Sequence, residues 1–224
     1  MGEKRQARQG ADVLLQEEPL RFQTRKQVGL LGGNFNPVHL AHLVMADQVQ
    51  NQLGLDKVYL MPTYLPPHVD EKKTISSEHR LAMLELAVAD NPCLDIEPIE
   101  LIRKGKSYTY DTMKALKEAN PDTDYYFIIG GDMVEYLPKW HRIDDLLHLV
   151  QFVGIRRPNY PTESTYPIIW VDVPQMAISS TLIRQKVKSG CSTRYLLPEN
   201  VINYIQEKGL YQDELDNKLR CCTT

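Results

Sequence analysis

Short apolar runs alternate with segments of helical spacing along most of this chain, and that alternation restricts the possible folds strongly. Gln27 to Leu31 is an apolar run that meets Gly32-Gly33, the pattern of a buried strand that ends in a glycine turn. The residues that follow, up to Gly54, carry leucine and valine near helical spacing. We therefore predict an α/β fold, with an open parallel sheet and helices on both faces.

The same alternation predicts the remaining elements. Further strands are predicted at residues 57–61, 94–99, 125–129, 152–155 and 168–173. Further helices are predicted to begin at Ser76 or Ser77, at Tyr110, at Ser179 or Ser180, and at Pro198. Gly190 is the predicted C-cap of the penultimate helix, and the last helix is predicted to end near Gly209.

The length of the chain sets its domain organisation. A chain of 224 residues can form one α/β domain with a substantial core but is too short for two large domains. The predicted domain spans residues 27–211. Residues 1–26 are polar and without clear period, which predicts a disordered tail, and residues 212–224 form a predicted C-terminal tail.

Charge and composition argue against several classes of protein. A net charge of -3 gives no global basis for binding nucleic acid or an anionic membrane, so any phosphate-binding charge has to be local. No apolar run approaches the roughly 20 residues that span a bilayer, and the N-terminus lacks the apolar core of a secretory signal. The four cysteines have no metal-ligand spacing, which favours a reduced, cytoplasmic protein.

The segment from Gly32 to His42 contains most of the candidate chemistry. It joins the first strand to the first helix, where open α/β sheets bind ligands. The glycines let a phosphate or an adenine approach the backbone, and the helix N-terminus offers free N–H groups to an anion. His39 and His42 are three residues apart and project from the same side of the first turn. Two imidazoles at this position suit a polyphosphate whose charge shifts during a reaction.

Each feature of this segment also has a simpler explanation. A strand-Gly-Gly-helix turn is often a matter of tight packing, and either histidine could be a satisfied core residue. A histidine pair at this spacing could bind a metal, although the sequence offers no evident third ligand nearby. The joint pattern Gly-x-Phe-x-Pro-x-His-x-x-His at one strand end is far more specific than its parts.

A second candidate phosphate site lies at the start of the penultimate helix. Ser179, Ser180 and Thr181 open this helix, and Arg184 follows one turn later. Alone, the segment is explained by a plain N-cap and a surface arginine. Paired with the histidine segment across a parallel sheet, it predicts hydroxyl and N–H contacts to phosphate oxygens, to which Arg184 adds a fork of charge.

These two segments resemble the motifs of a known superfamily. The histidine segment resembles the HxGH-type signature that nucleotidylyltransferases share with class I aminoacyl-tRNA synthetases, with Ala41 in place of the usual glycine, and Asn34 and Asn36 where threonine and aspartate are common. Residues 178–184 resemble the ISSTxIR motif of nicotinate- and nicotinamide-nucleotide adenylyltransferases. The resemblance implies a Rossmann-like nucleotidylyltransferase fold.

The resemblance also implies the roles of individual residues. The catalytic residues would be His39, His42 and Arg184. Gly130-Gly131-Asp132 resembles a GxD segment that lies beside the ATP ribose in that family. The implied ATP-binding residues are Gly32, Gly33, Asn34, Phe35, Gly130, Asp132, Ser179, Ser180 and Thr181.

Two further segments narrow the resemblance to bacterial nicotinate-nucleotide adenylyltransferases. Residues 107–112 match the SYTxDT segment of that family, and residues 138–141 match its PxWY segment, with His141 in place of tyrosine. Alone, Thr109 would be a helix cap and Trp140 a core residue. In the family the tryptophan stacks on the pyridine ring and backbone N–H groups receive its carboxylate, so the resemblance implies that Thr109, Trp140 and His141 bind the nicotinate nucleotide.

One departure from the family concerns a basic residue. Pro66-Pro67-His68 matches the family, but Val69 stands where lysine or arginine is often found. Lys72 or Lys73 is the predicted replacement. The resemblance covers about Val28 to Tyr211.

The reaction implied is adenylyl transfer from ATP to nicotinate mononucleotide, with Mg²⁺ on the ATP phosphates. The expected partners are these two nucleotides, without nucleic acid or a membrane, and a homo-oligomer is left open. An adenylyltransferase for nicotinamide mononucleotide or pantetheine phosphate is an alternative, as is a non-catalytic nucleotide sensor of the same fold. A class I tRNA synthetase fragment would need a KMSKS-like loop, and none is visible in the sequence.

Overall fold

A single parallel sheet organises the part of the chain that the computed structural model describes, residues 25–65, 74–156 and 163–212. Its strands are β1 (Lys26–Gly33), β2 (Lys57–Pro62), β3 (Leu94–Ile96), β4 (Thr123–Gly130), β5 (Val150–Ile155) and β6 (Ile168–Val171). They lie in the order β3-β2-β1-β4-β5-β6. Every neighbouring pair is parallel, which confirms the predicted open parallel sheet.

Helices cover both faces of this sheet, as the alternation predicts. They are α1 (Leu40–Leu53), α2 (Ser77–Val88), α3 (Ile99–Arg103), α4 (Thr109–Ala119), α5 (Gly131–Val134), α6 (Ile143–Leu146), α7 (Ser180–Lys188) and α8 (Glu199–Glu207). Buried residues of α1, α2, α7 and α8 share one apolar core. Buried residues of α4, α5 and α6 belong to a second core on the other face.

The strand order places a crevice between β1 and β4. From β1 the chain builds β2 and β3 on one side and then returns to form β4 on the other side of β1. The register pairs Leu31 with Ile128, so the glycines that end β1 and β4 lie at the same edge of the sheet. Open α/β sheets bind ligands at this kind of topological switch point.

Local capping explains several of the element boundaries. Gly54 has a φ of 63° and ends α1 in the left-handed conformation that glycine adopts at little cost. The Ser76 side chain accepts a hydrogen bond from the backbone N–H of His79 and caps α2. Ser179 caps α7 in the same way, with the N–H of Leu182 as donor. The predicted caps at these positions are confirmed.

Some predicted boundaries are wrong. The strand predicted to reach residue 99 ends at Ile96, because Pro98 has no N–H for the sheet and instead precedes α3. Thr109 is the first residue of α4, and Tyr108 is its N-cap. Pro198 is the N-cap of α8 rather than its first residue. The C-cap of α7 is Ser189, one residue before the predicted Gly190.

The first described residues already belong to the fold. β1 begins at Lys26, and the Arg25 side chain pairs with Asp124. Residues 1–24 and 213–224, which contain most of the two predicted tails, lie outside the described residues, as do 66–73 with Val69. No helix in the described part is long and apolar enough to cross a membrane. Cys93 is a free thiol, as the prediction of reduced cysteines expects for that position.

Candidate active site

A cavity of about 470 Å³ opens at the carboxyl ends of β1 and β4. Its volume lies within the range of small-molecule sites. The lining includes nine of the predicted site residues: Gly32, Gly33, Asn34, His42, Thr109, Gly130, Asp132, Trp140 and His141. Five of the predicted ATP-binding residues thus share one continuous space with the three predicted mononucleotide-binding residues.

The glycine turn is shaped by an aromatic ring beneath it. A Cβ atom on Gly33 would lie 2.9 Å from the ring of Phe35, closer than carbon atoms approach without a shift. Phe35 itself is 1% exposed and has a φ of 46°. Its ring therefore packs in the core and meets the ring of His42 edge-on, with centroids 4.9 Å apart. Only the backbone of Phe35 is available to a nucleotide.

The two histidines form a compact pair at the start of α1. Their rings stack with centroids 3.7 Å apart and an interplanar angle of 20°. The backbone N–H of His39 donates to Nδ1 of His42 at 3.3 Å. A neutral ring that accepts at Nδ1 carries its proton on Nε2, so His42 can donate from Nε2 to a ligand. His39 is 5% exposed, and its Nδ1 has no hydrogen-bond partner among the described residues.

Burial keeps both imidazoles neutral. It lowers the pKa of His39 to about 4, against a smaller opposing effect of a backbone hydrogen bond. Burial also lowers the pKa of His42 well below its ordinary value, and the neighbouring His39 lowers it further. An anion bound beside the pair would favour the protonated form and raise both pKa values.

Helix α7 is fastened to the histidine turn by two hydrogen bonds. Nη1 of Arg184 donates to the carbonyl oxygen of Asn36 at 2.8 Å, and Oγ of Ser180 donates to that of Pro37 at 2.8 Å. Tyr211, which follows α8, donates from its hydroxyl to Oδ1 of Asn36, also at 2.8 Å. The two motifs from opposite ends of the chain are therefore adjacent, as the sequence predicts.

These contacts use groups that the sequence assigns to phosphate. Ser180 is bonded to Pro37, Ser179 caps its own helix, and Oγ1 of Thr181 accepts from Nη2 of Arg184 at 3.2 Å. Both serine hydroxyls are thus engaged within the chain. The cavity lining does not include His39, Phe35, Arg184 or these three residues.

The mononucleotide side of the cavity combines an aromatic wall with a helix start. The half-buried ring of Trp140 meets Phe127 and Phe152 edge-on, each at 5.9 Å between centroids, so its orientation is fixed by the core. Thr109 begins α4, and its backbone N–H has no partner within the helix. The exposed ring of His141 lies 4.7 Å from that of Tyr108.

A buried carboxyl group beneath this segment has no counterpart in the sequence predictions. Glu100 of α3 is 4% exposed and lines the cavity. Its Oε1 accepts a hydrogen bond from the hydroxyl of Thr112 at 3.0 Å, while Oε2 has no partner among the described residues. Burial raises the pKa of Glu100, and hydrogen bonds from Ser107 and Thr112 oppose the rise. In the sequence, Glu100 stands out only as a glutamate among apolar residues, and that pattern does not indicate a role.

Comparison with known proteins decides the family. The cytidylyltransferase-like family model matches residues 30–186, more than half of the chain. A protein of Streptococcus mutans named probable nicotinate-nucleotide adenylyltransferase is 62% identical over 196 residues, which cover 88% of this chain and 93% of that protein. The chain belongs to the nicotinate-nucleotide adenylyltransferase family. A Streptococcus pyogenes relative of the same name is also 62% identical over 196 residues.

Solved structures of this adenylyltransferase class have the same fold. Nicotinic acid mononucleotide adenylyltransferase of Plasmodium falciparum, solved in complexes with APC and with NaAD, superposes on this chain with a TM-score of 0.69 in both. The matches cover 84% of this chain and 98% of the other, at 18% and 19% identity. The Rossmann-like nucleotidylyltransferase fold is confirmed.

Family membership also decides between the alternatives. The relatives are nucleotidyltransferase enzymes of NAD biosynthesis, so this adenylyltransferase is an enzyme rather than a nucleotide sensor.

Proposed function

We propose that this chain transfers the adenylyl group of ATP to nicotinate mononucleotide and releases pyrophosphate, in the cytoplasm. The observation that carries the proposal is the single cavity that has His42 in one part of its lining and Thr109 and Trp140 in another. Nucleotidyl transfer needs two anionic substrates in one continuous space. The names of the close relatives agree with the second substrate that this lining suits.

The chemistry requires alignment more than proton transfer. An oxygen of the mononucleotide phosphate attacks the α-phosphorus of ATP, and the bond from that phosphorus to the oxygen bridging to the β-phosphate breaks. Pyrophosphate leaves with the electron pair of that bond. The attacking phosphate is largely dianionic at about pH 7, so the protein need not remove a proton from it. The protein therefore contributes positioning and charge stabilisation.

His42 and His39 are proposed to stabilise the charge on the ATP phosphates. Nε2 of His42 is the donor, because Nδ1 already accepts the N–H of His39. The pair is buried and neutral before ATP binds. A phosphate group beside the rings raises their pKa values, so the pair can take up a proton as negative charge accumulates during the reaction.

The start of α7 is proposed to bind the departing pyrophosphate. Since the hydroxyls of Ser179 and Ser180 have partners within the chain, we assign the contact to free backbone N–H groups of the first turn and to Arg184. The Arg184 guanidinium donates one hydrogen bond from Nη1 to Asn36 and one from Nη2 to Thr181. Its remaining N–H groups can donate to an anion.

Mg²⁺ is proposed to enter on the ATP phosphate oxygens, because the residues that the structure describes contain no group of three His, Cys, Asp or Glu side chains that could hold a metal ion. Bound there, Mg²⁺ would neutralise charge on the departing pyrophosphate. Gly130 and Asp132 line the same cavity, and Asp132 is proposed to bind the ATP ribose.

The nicotinate ring is proposed to lie on Trp140, with its carboxylate at the backbone N–H groups near Thr109 and His141. The edge-on contacts with Phe127 and Phe152 hold the Trp140 ring in place before the substrate arrives. Glu100 lines the same cavity, and burial raises the pKa of its carboxyl group.

A pyrophosphate-release assay tests this function. The purified protein is supplied with ATP, Mg²⁺ and one of three acceptors: nicotinate mononucleotide, nicotinamide mononucleotide or phosphopantetheine. We expect the fastest release with nicotinate mononucleotide, accompanied by a product with the mass of nicotinate adenine dinucleotide. Faster release with phosphopantetheine, or no release with any acceptor, would contradict the proposal.

A further inference from the structure

Arg80, the fourth residue of α2, is buried beside the site, and no role described above uses it. The residue is 2% exposed. Its Nη1 donates to the carbonyl oxygen of Asn34 at 2.9 Å and to that of Thr63 at 2.8 Å. Asn34 follows β1, Thr63 follows β2, and both line the cavity. One guanidinium group thus joins the turns at the ends of two neighbouring strands.

A single peptide unit extends this connection to the mononucleotide side. The carbonyl oxygen of Thr63 accepts from Arg80. The N–H of Tyr64, in the same planar peptide, points the opposite way and donates to Oγ of Ser107 at 3.2 Å. Ser107 precedes Tyr108 and Thr109, so hydrogen bonds connect Arg80 both to the glycine turn and to the segment that begins α4.

The charge of Arg80 is costly to the protein. Within residues 25–65, 74–156 and 163–212, no carboxylate forms an ion pair with Arg80, and its Nε has no hydrogen-bond partner. Burial lowers the pKa of the guanidinium, but arginine keeps its charge. A cation removed from water without an anionic partner destabilises the fold, and the two carbonyl groups offset only part of that cost. ATP bound at the adjacent turn would bring negative charge near it.

We propose that Arg80 is a positioning residue that fixes ATP and nicotinate mononucleotide relative to each other during adenylyl transfer. This inference rests on the proposed function, because it requires both substrates in the cavity. Arg80 is too deeply buried to touch either one. Its hydrogen bonds set the position of the Asn34 turn relative to residues 107–109. That position determines the distance and angle between the attacking oxygen and the α-phosphorus of ATP. A misaligned attack lowers turnover more than it weakens the binding of either substrate alone.

Two variants separate positioning from charge. Arg80→Met removes the charge and both hydrogen bonds but keeps a long side chain, whereas Arg80→Lys keeps the charge and a donor. We expect kcat to fall on the order of 10²-fold in Arg80→Met, with Arg80→Lys between it and the wild type. The dissociation constants of ATP alone and of nicotinate mononucleotide alone, measured by calorimetry, should change only a few-fold.

Met83→Ala is the matched control for stability. Met83 lies one turn further along α2, is 0% exposed, and packs in the core without a hydrogen bond to either turn. It should lower the unfolding temperature and keep kcat per folded molecule near the wild-type value. The same pattern in Arg80→Met, or weaker binding of both substrates with unchanged kcat, would overturn the proposal.

Ser107→Ala tests the connecting path and keeps the proposal testable if Arg80→Met does not fold. If Arg80 acts through the Thr63–Tyr64 peptide, the kcat loss of the Arg80→Lys, Ser107→Ala double variant should be smaller than the two single losses combined. Fully additive losses would overturn the path. Wild-type turnover of nicotinate mononucleotide tests the proposed function separately, because each Arg80 result is a ratio to that rate.

Discussion

The rings of His39 and His42 stack at 3.7 Å, a distance that two imidazolium ions could not share without strong repulsion. Burial instead keeps the pair neutral, with the pKa of His39 lowered to about 4. The two rings are therefore unprotonated in the free protein at neutral pH. An anion that binds beside them raises their pKa values, so the pair can then take up a proton.

Acidic conditions should destabilise the protein through this pair. The unfolded histidine has a pKa of 6.5 and the folded His39 a pKa of about 4, so between these values the unfolded state binds more protons. The stabilisation present above pH 6.5 is lost as the pH falls toward 4. Urea unfolding at about pH 7 and about pH 5 should show His39 contributing a loss of roughly 2 kcal/mol.

His39→Gln isolates that contribution. The raised pKa of Glu100 acts in the opposite direction, because the folded state then binds more protons above the ordinary pKa of 4.5. Glu100 is present in both His39→Gln and the wild type. Its contribution therefore cancels when the pH dependence of the unfolding free energy is compared between the two proteins. An equal loss of stability in both proteins would refute the low pKa of His39.

His42→Ala should lower turnover by about 10²-fold, the usual cost of one preorganised donor to developing charge. His42 is the sharper test of the pair, because His39 is 5% exposed and its removal also leaves a cavity in the fold. His148→Ala is the control, since His148 is exposed and outside the cavity lining. Turnover within a few-fold of wild type in folded His42→Ala would exclude the role.

Arg184→Lys should weaken catalysis appreciably, because lysine keeps the charge but loses the fork. Steady-state kcat/KM for ATP is the measurement, with Arg156→Lys as a control on an exposed arginine paired with Asp172. Ser180→Ala, which removes the bond to Pro37 but leaves Arg184, separates docking of α7 from phosphate binding. Unchanged kinetics in both Arg184→Lys and Arg184→Ala would show that Arg184 does not bind the pyrophosphate.

The kcat/KM for nicotinate mononucleotide should exceed that for nicotinamide mononucleotide by at least about tenfold. The amide NH₂ of the second substrate would face backbone N–H donors and stay unpaired, at a cost of about 1–3 kcal/mol. Trp140 stacks on either ring, so Trp140→Ala should weaken both substrates and largely preserve the ratio. Trp170→Phe, on β6, is the control. Equal efficiency with both mononucleotides in the wild type would argue against the carboxylate pocket.

The sequence predicts those site residues that have a ligand-binding side chain or a glycine and that also lie at the carboxyl end of a predicted strand. The Gly32-Gly33 turn, the pair His39 and His42, and the proximity of Arg184 all follow from parallel strands with ligands at their carboxyl ends. The cap at Ser76 follows from local hydrogen bonding alone. These features depend on short-range pattern or on the general rule of the fold.

Burial and partner choice could not be predicted in the same way. Ser179 and Ser180 have the residue types of a phosphate site, but their hydroxyls are used by the helix cap and by Pro37, a partner distant in sequence. Arg80 looks like an ordinary helix-surface cation until the turns after β1 and β2 enclose it. The short helix α5 is below the length at which a periodic signal appears.

The hydrogen bond from Tyr211 to Asn36 spans 175 residues and has a consequence for biosynthesis. The turn that precedes the histidines emerges from the ribosome well before Tyr211 does. Contacts so distant in sequence form late, because the intervening chain must be ordered first. The histidine turn should therefore gain this contact only after α8 has been synthesised and folded.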